Sequence, residues 1–255
     1  PRACVTTTPR NVGVLRDLLA RASSVSSHAP TEANRAYLAD SFLEEVQARY
    51  AGTRLGRQEL DGVLLAEAEG ALWTSAALQG AQVDALPEMD RIVVAVDPPV
   101  TGHKGSDACG IVVVGAVTQG PPQDWRAYVI EDATVSAVSP ADWAKAAVAA
   151  MQRHQGGDLV ESVVRQIDPM VSYRGVRASR GKVARAEPVA ALYEQGRVFH
   201  ARGLDALEDQ MCLMSARGFD GSGSPDRVDA MVWALQEVMI DPAAHWRRPR
   251  LRVLG

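Results

Sequence analysis

The chain has 255 residues, enough for one large domain or two small ones, and its 47% hydrophobic and 23% charged residues are ordinary for a soluble globular protein. Its formal net charge of −4 excludes a global attraction to nucleic acid, so DNA binding would need a local basic patch. Because no apolar run approaches the roughly 20 residues that cross a bilayer, we expect no membrane partner.

The three cysteines are scattered, which argues for a reducing compartment and against a thiolate metal site; they are Cys4, Cys109 and Cys212. The chain begins with Pro1, in what resembles a strand, and no signal peptide opens it. We therefore expect the sequence to be a piece of a longer protein.

Residues 1–88 differ in pattern from the rest of the chain. A helix is predicted over residues 31–50, with Thr31 as its cap and an apolar stripe at Leu38, Phe42, Leu43 and Val46. Residues 52–59 are typical of a loop or short turn, and residues 74–86 are so weakly patterned that they are predicted to be a linker.

From Asp90 onward, apolar strands alternate with helices, which predicts an α/β fold. The predicted strands are residues 92–96, 110–117, 126–131, 171–176 and 198–201, the first two forming an antiparallel hairpin. The predicted helices are residues 140–151 (with Ser139 as N-cap), 157–167, 182–194 and 204–214. A last helix begins at Ser224-Pro225-Asp226, with serine as cap, and its buried stripe is Val228, Met231, Val232, Leu235, Val238 and Met239.

Asp97 ends an apolar run of five residues that is typical of a buried strand. Burying a charge costs several kcal/mol unless something pairs with it. We therefore expect Asp97 at the mouth of the strand, in reach of water or of a cation. Two interpretations remain open: a metal ligand of a nuclease site, or a cap of the turn before Pro98 and Pro99.

Asp226 and Asp229 are three residues apart and are predicted to share one face of the last helix near its N-terminus. A strand-end acid with acids on a late helix is typical of a two-metal nuclease, in which Mg²⁺ takes oxygen ligands. The alternative is that both acids only favour the helix dipole. The histidines show no ligand spacing and are expected on the surface or in turns; they are His28, His103, His154, His200 and His245.

A basic patch is predicted over residues 171–202, which hold seven positive and two negative side chains. Such a patch would neutralise DNA phosphates without reading sequence. The candidate DNA-binding residues are Arg174, Arg177, Arg180, Lys182 and Arg185. A solvated helical face with a basic loop is the alternative. The tail, residues 246–255, is also basic, and either touches DNA or a protein partner or is disordered.

Eight segments together resemble the C-terminal part of a phage large terminase, the DNA-packaging protein also found in prophages and gene transfer agents. Two of them are Val94-Ala-Val-Asp-Pro-Pro99 and Ser224-Pro-Asp-Arg-Val-Asp-Ala-Met-Val-Trp-Ala-Leu235. The others are residues 5–10, 52–60, 155–158, 177–182, 185–188 and 192–197.

The resemblance implies an RNase H-like nuclease over residues 89–245, a mixed sheet flanked by helices. It also implies that residues 1–88 are a small remnant of the P-loop packaging ATPase with a linker. The chain has no G-x-x-x-x-G-K-[ST] loop, so we expect no ATPase activity from it. By motif, Asp97 and Asp229 would be catalytic and hold two Mg²⁺ or Mn²⁺ ions, with Asp226 and Asp107 as further ligands.

One part of the family pattern has no counterpart here. The resemblance implies a strand with a second acid between residues 151 and 157, where this chain has only Gln152-Arg-His-Gln155. Four residues span at most roughly 14 Å, too little to cross a sheet. Either the sequence is broken there or the strand is lost, and the candidate substitutes are Glu131, Asp132, Asp158 and Glu161.

The expected function is that of the large-terminase endonuclease, which cuts concatemeric double-stranded DNA during genome packaging. The resemblance further implies the portal protein and the small terminase as partners, and the cytoplasm of a bacterial host as the location. The competing hypothesis is a DNA-binding and portal-docking module without chemistry of its own.

Overall fold

The structure, a computed structural model, describes residues 4–7, 13–50, 54–65, 67–98, 108–136, 138–155 and 181–246. Its main sheet has the strand order β1-β2-β3-β4, in which β1 to β3 are antiparallel and β4 is parallel to β3. The strands are β1 (Arg91–Asp97), β2 (Gly110–Val117), β3 (Arg126–Asp132) and β4 (Val198–His200). The predicted hairpin and these four strands are confirmed, whereas the strand predicted over residues 171–176 lies outside the described residues.

Strand β2 is the centre of the molecule, because it is buried along almost its whole length. Side chains of a strand point alternately to its two faces, so β2 serves two cores. Val112, Val114 and Ala116 belong to the larger core, and Ile111 and Val113 belong to a smaller one. A run of consecutive apolar residues is what a strand covered on both faces requires.

Helices cover both faces of the sheet, as the predicted α/β fold requires. The later ones are α5 (Pro140–Gln155), α6 (Lys182–Glu194), α7 (Asp205–Cys212), α8 (Asp226–Leu235) and α9 (Asp241–His245), and a π-helical turn, Gln236–Ile240, joins α8 to α9. A short hairpin, β5 (Met214–Ser215) with β6 (Gly218–Phe219), follows α7. The helix predicted over residues 157–167 lies outside the described residues.

Helix α8 packs on the larger core, and every residue of its predicted apolar stripe is at most 1% exposed. The predicted Ser224 cap is wrong. The N-cap residue is Pro225, and the Ser224 hydroxyl instead accepts a hydrogen bond from Lys182. The predicted Ser139 cap of α5 is confirmed, because its hydroxyl accepts from the Asp142 backbone N–H.

The N-terminal part has short helices: α1 (Gly13–Leu19), a 3₁₀ helix (Thr31–Tyr37), α2 (Asp40–Tyr50), α3 (Arg54–Glu59) and α4 (Ser75–Ala81). The single helix predicted over residues 31–50 is wrong, since the chain is extended at Leu38. Thr31 does not cap it, because Thr31 is the first residue of the 3₁₀ helix and the N-cap residue is Pro30. The loop predicted over residues 52–59 is instead largely α3.

The predicted linker, residues 74–86, contains a helix that packs in the larger core. Thr74 caps α4 through its side chain, and Leu78 of α4 is fully buried beside Trp73. The Val83 backbone N–H donates to the His200 carbonyl of β4 at 2.9 Å. Residues 73–83 therefore pack against the sheet, while the domain division at residue 88 stays a prediction.

Helix α5 runs without interruption to Gln155, so residues 152–155 are helical and form no strand. The helix outlasts its predicted end at Met151 because Arg153 and His154, in its last turn, both contact Glu131 of β3. No helix among the described residues is both long and apolar enough to cross a membrane.

Candidate active site at the carboxyl end of β1

Asp97 is the last residue of β1 and lies opposite Gly110, the first residue of β2. Its side chain is half-buried, as expected for an acid at the mouth of a buried strand. The start of α8 packs against this same edge of the sheet.

Gly110 brings the helix and the strand together. A Cβ atom at this position would lie 2.0 Å from the Asp226 carbonyl oxygen and 3.3 Å from the Ala230 Cβ. Only glycine therefore allows the first turn of α8 to approach the residue that pairs with Asp97. This contact places Asp226 and Asp229 at the edge where Asp97 ends its strand.

Asp226 and Asp229 are 6% and 5% exposed. A helix N-terminus stabilises an acid by about 0.3–1 kcal/mol, whereas burying a carboxylate costs several kcal/mol. The dipole alone thus cannot account for two buried acids in one turn. Positively charged neighbours must contribute as well, and for Asp229 they include Lys182 and Arg185.

Burial and the neighbouring negative charges raise the pKa of two groups at this edge. The pKa of Asp97 is raised to about 6, by burial first and then by the charges of Asp229 and Asp226, although Lys182 and Arg185 oppose the shift. The pKa of the Cys109 thiol is raised to about 12 by burial and by Asp97 and Asp226. Asp97 is therefore close enough to Asp226 and Asp229 to be repelled by both, and the Cys109 thiol stays protonated.

Two basic residues of α6 contact Asp229. Lys182 Nζ lies 2.5 Å from its Oδ2 atom, and Arg185 Nη2 lies 3.1 Å from its Oδ1 atom. The Arg185 guanidinium also lies over the Trp233 ring, 4.8 Å from its centroid. The structure thus brings together Asp97, Asp226 and Asp229 with two of the five predicted DNA-binding residues.

The donor set fits a hard divalent cation in its chemistry. All three acids offer carboxylate oxygens, the ligands that Mg²⁺ and Mn²⁺ prefer. Asp229 Oδ2 is buried and has no hydrogen-bond partner of good geometry, although Lys182 lies beside it. Among the described residues, however, no group of three or more acids, histidines or cysteines is arranged to hold a metal.

The other predicted site residues are distributed as follows. Asp107, Arg174, Arg177 and Arg180 lie outside the described residues, as do Asp158 and Glu161. Of the candidate second acids that are described, Glu131 contacts Arg153 and His154 of α5, and Asp132 Oδ2 accepts from Arg227 Nε at 2.7 Å. Both contribute to contacts between elements of the fold.

The sequence interpretation missed a buried polar network elsewhere in the core. His200 is fully buried, so its predicted surface or turn position is wrong. Its Nδ1 atom lies 3.0 Å from Glu208 Oε1, and its Nε2 atom lies 2.6 Å from the Tyr193 hydroxyl. Burial and Glu208 raise the pKa of Tyr193 well above its usual value. Helical spacing could have revealed Glu208, which falls on the apolar stripe of Leu204, Leu207 and Met211.

Comparison with known proteins gives one match. A family model described as the terminase RNase H-like domain matches residues 94–237, which contain Asp97, Asp226 and Asp229. No curated protein and no solved structure matches the chain significantly.

Proposed function

Since this chain belongs to the terminase RNase H-like domain family, we propose that it is a metal-dependent DNA endonuclease that cuts concatemeric DNA during phage genome packaging. One observation supports this most strongly: three carboxylates meet at one sheet edge, where burial first, and then the charges of Asp229 and Asp226, raise the pKa of Asp97 to about 6. An acid with a perturbed pKa beside further carboxylates is typical of functional sites.

In this proposal Asp97 and Asp229 are the principal metal ligands, and Asp226 and Asp107 are further ligands. Two bound Mg²⁺ or Mn²⁺ ions would supply activation of water and stabilisation of the leaving oxygen. The chain itself orients the ligands: the β1–β2 pairing fixes Asp97, and the close approach of α8 at Gly110 fixes Asp226 and Asp229.

The basic residues of the site are proposed to contact the DNA backbone. Lys182 is half-exposed at the start of α6, beside the carboxylates, and Arg174, Arg177 and Arg180 precede it in the sequence. Contacts of this kind position a duplex without reading its bases, so binding should weaken as salt increases. Contact with a portal protein and a small terminase, and descent of residues 1–88 from a packaging ATPase, are part of the same proposal.

A second candidate function is a DNA-binding and portal-docking module without chemistry. Two observations favour it: Lys182 and Arg185 occupy both oxygens of Asp229, and the described residues contain no group of three ligands arranged for a metal.

A plasmid-nicking assay with Mg²⁺ or Mn²⁺, run beside a DNA-binding assay, separates the two functions. We expect the parent chain to nick supercoiled DNA and Asp97→Ala to lose roughly 10²-fold or more of that activity while still binding DNA. Asp90→Ala is the matched control, because Asp90 precedes the same strand at its opposite end and is exposed.

Three results are informative. If the parent and Asp97→Ala are equally inert while both bind DNA, the docking function is supported and the endonuclease is not. If Asp97→Ala cuts as well as the parent, the site assignment is wrong. If Asp90→Ala keeps the nicking activity of the parent while Asp97→Ala loses it, the proposed site is supported.

A further inference from the structure

Lys182 places a positive charge where the proposed function needs a cation. Its ammonium lies 2.5 Å from Asp229 Oδ2 and 2.8 Å from the Ser224 hydroxyl oxygen, which accepts its hydrogen bond. The ammonium thus lies between two oxygen atoms at the start of α8. This is the environment that a hard cation would also select.

The position of Lys182 in its own helix is unfavourable. It is the first residue of α6, a helix of 13 residues, and no side chain caps that end. The positive end of a helix dipole disfavours a cation by a few tenths of a kcal/mol to about 1 kcal/mol. Lys182 therefore does not stabilise its own helix, whereas it does stabilise the carboxylate of Asp229.

The two members of the pair differ in their freedom to move. The Lys182 side chain is 44% exposed, while that of Asp229 is 6% exposed. A lysine has a flexible stem and a strongly hydrated head, so its ammonium can move into water without opening the core. Asp229 is fixed by the packing of α8 and cannot leave.

Arg185 provides the contrast within the same ion pair. Its side chain is only 9% exposed, and its guanidinium lies over Trp233. Movement of Arg185 would break this packing, so it is the permanent partner of Asp229. Lys182 is the partner that can be replaced.

We infer that Lys182 is an internal counter-ion that occupies the cation position beside Asp229 and gives way when a divalent ion binds there. This inference rests on the proposed function and adds a regulatory role for Lys182. The metal and the ammonium compete for one carboxylate oxygen, so the lysine sets the divalent-ion concentration at which the site is loaded. Linkage makes the effect reciprocal: a bound metal must also release Lys182.

The first test is direct Mn²⁺ binding, measured by isothermal titration calorimetry on the whole chain. We expect Lys182→Met to bind Mn²⁺ roughly tenfold more tightly than the parent, within the usual range of coupling between sites. Lys145→Met is the matched control, because Lys145 lies on α5 in an exposed i,i+3 pair with Asp142. It should leave the affinity unchanged, and thermal unfolding should show that all three proteins fold.

The second test follows the lysine itself in the parent chain. The rate of Lys182 acetylation, measured by mass spectrometry, should rise severalfold when Mn²⁺ is added, while that of Lys145 should stay constant. A purely structural Lys182–Asp229 pair would show no such response.

The outcomes separate this inference from the proposed function. Equal Mn²⁺ affinity of the parent and Lys182→Met, or Lys182 acetylation that ignores bound Mn²⁺, overturns the counter-ion role even if the parent nicks DNA. If Lys182→Met binds Mn²⁺ and the parent does not, the counter-ion role is supported, even if the parent does not nick DNA. If neither protein binds Mn²⁺, the counter-ion role fails, and the nicking assay decides the endonuclease proposal separately.

Discussion

Buried or half-buried acids lie in two regions of this molecule, the core and the sheet edge, and their hydrogen-bond partners differ. Glu208 is 1% exposed, but His200 bonds to it and Tyr193 bonds to the other nitrogen of that ring. At the sheet edge, the charges of Asp226 and Asp229 instead act with burial to raise the pKa of Asp97, and Asp229 Oδ2 has an ion pair with Lys182 but no hydrogen bond of good geometry. The first group is a closed network inside the core, and the second is an open cluster at the edge of the sheet.

The comparison shows what distinguishes a structural acid from a candidate functional one. Buried polar groups that serve only the fold are normally satisfied by partners within it. A cluster that raises the pKa of one of its acids, as this one does for Asp97, is instead a candidate functional site. Burial alone does not separate the two groups, whereas the partners of each acid do.

The largest expected effect is on stability in the closed network. His200→Ala removes one partner of the buried Glu208 and the partner of the Tyr193 hydroxyl, so we expect the free energy of unfolding to fall by about 3–5 kcal/mol in urea denaturation. Asp97→Asn, in the open cluster, should cost nothing or stabilise the protein. A loss below about 1 kcal/mol for His200→Ala would contradict the structural role given to the network.

A smaller effect is expected at Gly110, which holds the open cluster together. Gly110→Ala forces the start of α8 away from β2 and should lower the free energy of unfolding by about 1–3 kcal/mol. It should also weaken Mn²⁺ binding, because it moves Asp226 and Asp229 away from Asp97. Gly80→Ala is the matched control, because nothing lies within 4 Å of the added Cβ. It should be neutral or slightly stabilising, since alanine favours the helix. Equal effects of the two changes would show that the close approach is unimportant.

The smallest expected effect is on the pH dependence of stability. The folded pKa of Asp97, about 6, exceeds the value of about 3.9 expected when unfolded. Between these values the native state binds more protons, so this group's contribution to stability falls as pH rises. Because solvent screens Asp97 partly, we expect its contribution to the free energy of unfolding to fall by about 1 kcal/mol between pH about 4 and about 7.

Asp97→Asn isolates this contribution. The stability of the parent minus that of Asp97→Asn, measured in urea with a chelator present, should decrease as pH rises through this window. A difference that stays constant would show that Asp97 titrates normally and that the cluster is not strained.

Most of the sheet could be predicted because its strands are uninterrupted apolar runs. The bounds of β1 to β3 differ from prediction by at most one residue at each end, and the apolar stripe of α8 is buried as predicted. Runs of this kind leave few alternatives to a strand covered on both faces. The strand-end position of Asp97 followed from the same pattern.

The failures have a different physical origin, since they depend on contacts between distant segments. The helix α4 is short and poor in apolar periodicity, and the burial of Leu78 depends on Trp73 and the sheet core. The Lys182–Asp229 contact joins residues 47 positions apart in the chain. Spacing within one segment cannot reveal such pairs. The sequence therefore predicted only a DNA-binding role for Lys182.

The most direct test of the central claim, that the open cluster is a divalent-metal site, is a Mn²⁺ titration followed by electron paramagnetic resonance. The parent and Glu208→Gln should bind Mn²⁺ with similar affinity, provided that both are folded, whereas Asp229→Asn should lose roughly tenfold or more. If Asp229→Asn binds Mn²⁺ as well as the parent does, or if neither the folded parent nor folded Lys182→Met binds any, the cluster is not the metal site of a nuclease.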